Sequence, residues 1–100
     1  MNSLVYACSY KTEKGLLVAC CDEDVIGRTF IEGKLRLNPD QKFYGNAVSE
    51  ISEALVLLET AEILNLVGDK IIRAAIERGL VHPDAVITIG GVPHVQVMRL

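Results

Sequence analysis

The chain has 100 residues, half of them apolar and 23% charged, and a formal net charge of −3. That length is one domain (residues 1–100) able to bury its own core, and that composition excludes a disordered chain. No apolar run approaches the roughly 20 residues of a membrane helix, and the acidic balance argues against bulk electrostatic binding to nucleic acid or anionic membranes.

Residues 3–11 and 16–21 are rich in Val, Leu, Tyr, Ala and Cys and flank Thr12-Glu13-Lys14-Gly15, the pattern of a β-hairpin with a four-residue loop. Asp22-Glu23-Asp24 stops the second strand, and Val25 to Phe30 has room for one helical turn. Lys34-Leu35-Arg36-Leu37-Asn38 alternates polar and apolar, as a half-buried strand does, and Asn38-Pro39-Asp40 signals a turn. Ser49 or Ser52 can cap a helix reaching about Leu64, and Asn65 then caps a second helix with Gly68 in its first turn. In that second helix Ile71, Ile72, Ala75 and Ile76 form one face. The pairs Asp69–Arg73 and Arg73–Glu77 sit at i,i+4 on the other, each expected to add about 0.2–0.5 kcal/mol. Gly79 is the expected residue just past the helix, His82 a turn or cap residue before Pro83, and 86–89 and 95–100 the last strands.

Strands at both ends with helices in one block read as α+β. The expected architecture is a small mixed or mostly antiparallel sheet, the N-terminal hairpin plus the C-terminal strands, covered on one face by two helices. The last strand is expected to return to the hairpin. Met1-Asn2-Ser3 has no basic region, which speaks against a secretory signal. Three cysteines, two of them adjacent and none in a CxxC, exclude a disulfide framework and a zinc knuckle, so a reducing cytoplasm is the expected location.

Val18-Ala19-Cys20-Cys21-Asp22, Gly27-Arg28-Thr29-Phe30 with Gly33, Phe43-Tyr44-Gly45, Asn65-Leu66-Val67-Gly68 and Ile89-Gly90-Gly91-Val92-Pro93-His94 follow one another along the chain. Together they resemble the archaeal domain-of-unknown-function 424 family, the Gly-Gly-Val-Pro-His tail being the most specific part. The resemblance implies an archaeal, cytoplasmic α+β protein and an association with translation and RNA-binding proteins. It implies no activity and assigns no residue a role.

Two residue sets carry chemistry. Gly90 and Gly91 can turn backbone N–H groups toward an anion, with His94 adding a hydrogen bond or a proton; the simpler role is a tight strand-to-strand turn. Arg28, Lys34, Arg36 and Lys42, with Tyr44 for stacking, form the basic and aromatic set expected of an RNA-binding sheet. The same residues on a solvated strand face would do nothing of the kind. Cys21 activated by His94 is a further, weaker arrangement, because Asp22, Glu23 and Asp24 oppose a thiolate. No cofactor motif and no metal-ligand spacing is present. Three readings follow: a protein that binds RNA or a translation-associated partner, a protein-interaction module using its acidic helix or a sheet edge, and a small-anion binder or enzyme centred on Gly90, Gly91 and His94.

Overall fold

The computed structural model of the chain describes residues 3–99. Met1, Asn2 and Leu100, which the sequence places in the lead-in and the last strand, lie outside the described residues. The elements are β1 (Leu4–Thr12), β2 (Gly15–Asp22), β3 (Phe30–Glu32), β4 (Leu35–Leu37), α1 (Gln41–Tyr44), β5 (Val48–Glu50), α2 (Ile51–Glu59), β6 (Ile63–Val67), α3 (Asp69–Glu77), β7 (Ile87–Ile89) and β8 (Val92–Met98). Single 3-10 turns follow β2, at Glu23–Val25, and precede β7, at Pro83–Ala85.

Six strands form one sheet in the order β5-β1-β2-β6-β8-β7, and β3 pairs with β4 in a separate hairpin. Only β2 and β6 run parallel; every other pair is antiparallel. The α+β expectation, with the N-terminal hairpin and the tail in one sheet, is met. The last strand does not meet the hairpin directly, however, because β6 lies between them.

That β6 is a strand corrects the sequence reading, in which a helix runs to Leu64 and Asn65 is a cap. Ile63, Leu64, Leu66 and Val67 are all buried. A central strand covered on both faces is apolar throughout, so periodicity cannot separate it from a buried helix. The helix before it ends at Glu59, where the Thr60 hydroxyl donates to the Leu57 carbonyl at 2.7 Å. It begins at a capping box made by Glu50 and Glu53 rather than at Ser49 or Ser52. The first hairpin pairs as far as Thr12↔Gly15, so its loop is only Glu13-Lys14.

One sheet face packs on the two longer helices. Val5, Val18, Cys20, Leu64, Leu66 and Val95 meet Leu55 and Leu58 of α2 and Ile71 and Ala75 of α3. The opposite face carries Ala19, Cys21 and Val67, and α1 together with the β3–β4 hairpin covers it through Phe43, Tyr44, Phe30 and Leu37. This second layer is absent from the architecture expected from the sequence.

The third helix ends as expected: the Gly79 N–H donates to Ile76 and the Leu80 N–H to Ala75, the two bonds of a Schellman motif. The expected ion pairs on its outer face do not form. Among the described residues neither Asp69–Arg73 nor Arg73–Glu77 closes, and the ion pairs present are Arg78–Glu59 and His82–Asp84.

Its N-terminus is capped from another element. Gly68, the residue before α3, has no side chain to offer, and Asp22 at the end of β2 supplies the carboxylate. Oδ2 accepts from the Lys70 N–H at 2.8 Å and Oδ1 from the Ile71 N–H at 3.0 Å. Gly68 has φ +116°, and a Cβ there would lie 2.3 Å from Asp22 Cγ. Only glycine leaves room for the carboxylate.

Burial raises the Asp22 pKa and outweighs the two N–H donors that lower it. The folded protein therefore holds this proton to higher pH than the unfolded chain does. The stability it contributes is complete below the ordinary carboxylate range and is lost as the pH rises through the folded-state pKa. Asp22→Asn keeps one acceptor for the helix and cannot ionise. Urea unfolding across pH should therefore show the variant gaining on the wild type between the ordinary carboxylate range and the folded-state value. A variant that falls behind over that window would mean that the capping bonds outweigh burial.

Candidate nucleic-acid interface

Residues 28–37 form a two-stranded arm on the face of the sheet opposite α2 and α3. Its register is Phe30↔Leu37, Ile31↔Arg36 and Glu32↔Leu35. Phe30 and Leu37 point inward against the sheet-side cluster of Ala19, Cys21, Tyr44 and Val67. Alternation along a strand then puts their neighbours Ile31 and Arg36 on the outward side. Ile31 is 64% and Leu35 52% exposed, and Arg28, Lys34 and Arg36 are all exposed.

Arg28 lies with its guanidinium 5.1 Å from the centre of the Phe30 ring, a cation–π placement, and its Nη1 donates to the Asp24 carbonyl at 3.4 Å. Its backbone is fixed at both ends. The Arg28 N–H donates to Val25, and its carbonyl accepts from Asn38 Nδ2 at 2.8 Å.

The Gly90-Gly91 loop lies beneath this arm. Both glycines have positive φ, +57° and +85°, as the two central residues of a type I′ hairpin turn require, and they join β7 to β8. The N–H of Gly90 donates to Glu32 Oε1 at 3.0 Å. A Cβ on Gly90 would lie 3.1 Å from both the N and the O of Ile31. The backbone of β3 therefore rests directly on the turn, where only a residue without a side chain lets it settle. The Gly90 N–H, one of the donors in the anion-site reading of the loop, is thus met by a carboxylate of the chain itself. The contact also ties the one acid of the arm to the turn, beside three exposed cations.

His94 sits within β8, half-buried, and its Nδ1 lies 3.0 Å from the Leu66 carbonyl. A carbonyl only accepts, so Nδ1 carries the hydrogen and, in the neutral ring, Nε2 is bare. His94 joins neither an anion site nor a dyad. Cys21, Val67 and His94 fall in one register row across β2, β6 and β8. Two strand spacings separate Cys21 from His94, about 10 Å. Cys20 and Cys21 are fully buried, and burial first, with Asp22 second, pushes both thiols up to about 12. Thiolate chemistry has no footing there.

The other predicted residues are divided. Lys42 is exposed on α1, beside a ring stack in which Phe43 lies parallel to Tyr10 at 5.6 Å. Tyr44 is 5% exposed, with its hydroxyl donating to Asn65 Oδ1 at 2.7 Å, and burial raises its pKa. Its ring is core and presents no face to a base. Of the five predicted nucleic-acid residues, Arg28, Lys34 and Arg36 share the arm; Lys42 lies on a separate element, and Tyr44 is inside. Ile31, Glu32 and Phe30 belong to the site without having been marked by the sequence pattern. The Gly33-Lys34 pair between two short apolar-polar runs was the available hairpin signal.

Fold and site define a small α+β protein whose sheet carries two helices on one face and a basic, partly apolar β-arm on the other. The chain belongs to the family described as protein of unknown function DUF424, whose model matches residues 10–100. No curated protein matches it. It is similar to the crystal structure of an uncharacterized conserved protein from Methanopyrus kandleri, with a TM-score of 0.80 and 24% sequence identity over 97% of this chain and 94% of that one. At that identity the likeness is one of fold.

Two measurements check the site's construction. Gly90→Ala should destabilise by about 2 kcal/mol or more, combining left-handed strain with the collision against β3. It should also speed amide exchange at Glu32 and Leu35, the hydrogen-bonded pair that closes the arm. Gly91→Ala, whose added Cβ meets open space, should cost only about 1 kcal/mol and leave the arm's exchange unchanged. Equal effects would separate the arm from the turn. For the thiols, a disulfide reagent at neutral pH should leave Cys20 and Cys21 unlabelled in the native protein and modify both after unfolding. Rapid native labelling of Cys21 would restore it as a reactive group.

Proposed function

We propose that this protein binds RNA through its β3–β4 arm, with the phosphate backbone running along Arg28, Lys34 and Arg36. The observation that carries the reading is the placement of charge. Residues 28–37 hold three cations and one carboxylate in a chain whose net charge is −3, and that carboxylate accepts a hydrogen bond from the Gly90 N–H. An acidic protein with three of its ten Lys and Arg residues on one projecting element offers a polyanion a local cationic stretch there. Exposed Ile31 and Leu35 add apolar contacts for sugar and base faces, and a guanidinium stacked on Phe30 offers its outer plane. The setting proposed is a translation-associated ribonucleoprotein in an archaeal cytoplasm. The family resemblance supports that setting, and so do three free cysteines, which suit a reducing compartment.

Fluorescence anisotropy with a labelled single-stranded RNA at several salt concentrations tests this. Lys34→Ala combined with Arg36→Ala should weaken binding and lower the log–log salt slope by about 1.4, since each phosphate neutralised on a single strand is worth about 0.7. Glu32→Gln, which keeps the acceptor for Gly90, should bind at least as tightly as the wild type. An unchanged slope in the double variant would move the interface off the arm, and absence of binding by the wild type would end the RNA reading.

A further inference from the structure

At the foot of the arm a depression of about 280 Å³ opens between Ile26 and Gly27 on one side and Asn38, Pro39, Asp40 and Gln41 on the other. It lies next to Arg28, the first cation of the arm. Its volume falls just below the roughly 300–1,000 Å³ of sites for drug-sized ligands, the scale of a single planar heterocycle. Ile26 supplies an apolar wall, and Gly27 leaves its side open, with nothing within 4 Å of where a Cβ would stand.

The polar groups around the depression have a defined sense. Asn38 Nδ2 donates to the Arg28 carbonyl at 2.8 Å and to Thr29 Oγ1 at 3.0 Å, which orients the amide and leaves Oδ1 as an acceptor. Asp40 Oδ1 accepts from the Lys42 N–H at 2.8 Å. Among the described residues Oδ2 takes no hydrogen bond, and it is an acceptor only. Gln41 brings an amide that can donate. The set is therefore two acceptors, Asn38 Oδ1 and Asp40 Oδ2, and one amide, that of Gln41, which turns its NH2 or its oxygen to a ligand, beside the apolar side chain of Ile26.

We infer that this depression is a pocket for one unpaired guanine base of the RNA held by the arm, an inference that rests on the RNA reading above. Guanine's pairing edge presents two adjacent donors, N1–H and the 2-amino group, and one acceptor, O6. That is the complement of Asp40, Asn38 and the Gln41 amide. Uracil presents one donor between two acceptors and cytosine one amino group beside two acceptors, so each sets an acceptor against an acceptor of the pocket; adenine, with one amino donor beside N1, leaves one acceptor of the pocket unfilled. Such a mismatch is what discriminates bases. A base in the pocket must leave its stack, so the target is single-stranded and its 5′ or 3′ phosphate falls beside Arg28.

The test compares three labelled ten-nucleotide strands: oligouridylate, the same strand with one central guanosine, and the same strand with inosine at that place. The guanosine strand should bind about ten-fold tighter than oligouridylate, and inosine, lacking the 2-amino donor, should recover only part of the gain. Gln41→Ala and Asp40→Asn should each erase the guanosine preference while leaving oligouridylate affinity within about two-fold, because the arm is untouched. Gln41 is exposed, so its variant reports on the pocket even if Asp40→Asn loosens the short helix it caps. In amide-detected NMR, the guanosine strand should shift the Gln41 side-chain NH2 and oligouridylate should not. Equal binding of all three strands would overturn the guanine pocket while leaving the arm as an RNA site. Binding of none would overturn both.

Discussion

The junction at Asp22 fixes how the layers of this protein meet. Parallel pairing of β2 with β6 sets Cys21 beside Val67, and one residue further on it brings Asp22 to Gly68 at the start of α3. A helix start leaves N–H groups without partners, and here two of them are met by a carboxylate that is 2% exposed. The arrangement locks a strand, a crossover and a helix into one register, since a slip of one residue would leave a buried charge facing nothing. It is also costly. Burial outweighs the capping donors in the balance that sets the pKa of Asp22, so the ionised group is held against its solvation preference. Such a junction specifies geometry more than it adds stability.

The same economy of contacts recurs on the other face. The β7–β8 turn is a pair of glycines because another backbone lies against it, and that backbone is the basic arm's. One hydrogen bond from Gly90 ties the arm to the turn through the arm's one acid. The C-terminal hairpin thus contacts a segment nearly sixty positions earlier in the chain. Arg28 is held by Phe30 on one side and Asn38 on the other, so the arm's cations project from a supported scaffold rather than a free loop. Preorganised cations lose less side-chain freedom on meeting a phosphate chain than mobile ones do.

The two sheet faces differ in chemistry as well as in cover. The helix face is aliphatic and closed. The arm face mixes small residues with aromatic rings, and its polar groups are paired inside: Tyr44 with Asn65, and His94 with the Leu66 carbonyl. A paired histidine and the one buried thiol of this face, Cys21, stand about two strand spacings apart and make no nucleophile–base couple there. What remains accessible is the arm, its exposed apolar residues and the depression at its foot.

The sequence by itself determined the class of fold, the first hairpin, the third helix with its glycine ending, and the turn at Gly90-Gly91. Each of these is written in local spacing: a run of β-formers around a short loop, an i,i+3,i+4 face, and a residue free to take positive φ. It could not separate β6 from the end of α2, because a mostly apolar strand buried on both faces lacks the alternation that marks a strand, and Asn65 in its middle reads as a helix cap. It clustered Arg28, Lys34 and Arg36 by proximity along the chain, yet assigned Tyr44 the same exposure, because an aromatic residue next to lysine looks alike in a core and on a surface. Only the tertiary structure decided that Glu32 answers Gly90, that Asp22 caps a helix 48 positions away, and that the histidine and the cysteines stay apart. Those are long-range pairings chosen by strand order, and strand order leaves no mark on the spacing of neighbouring residues.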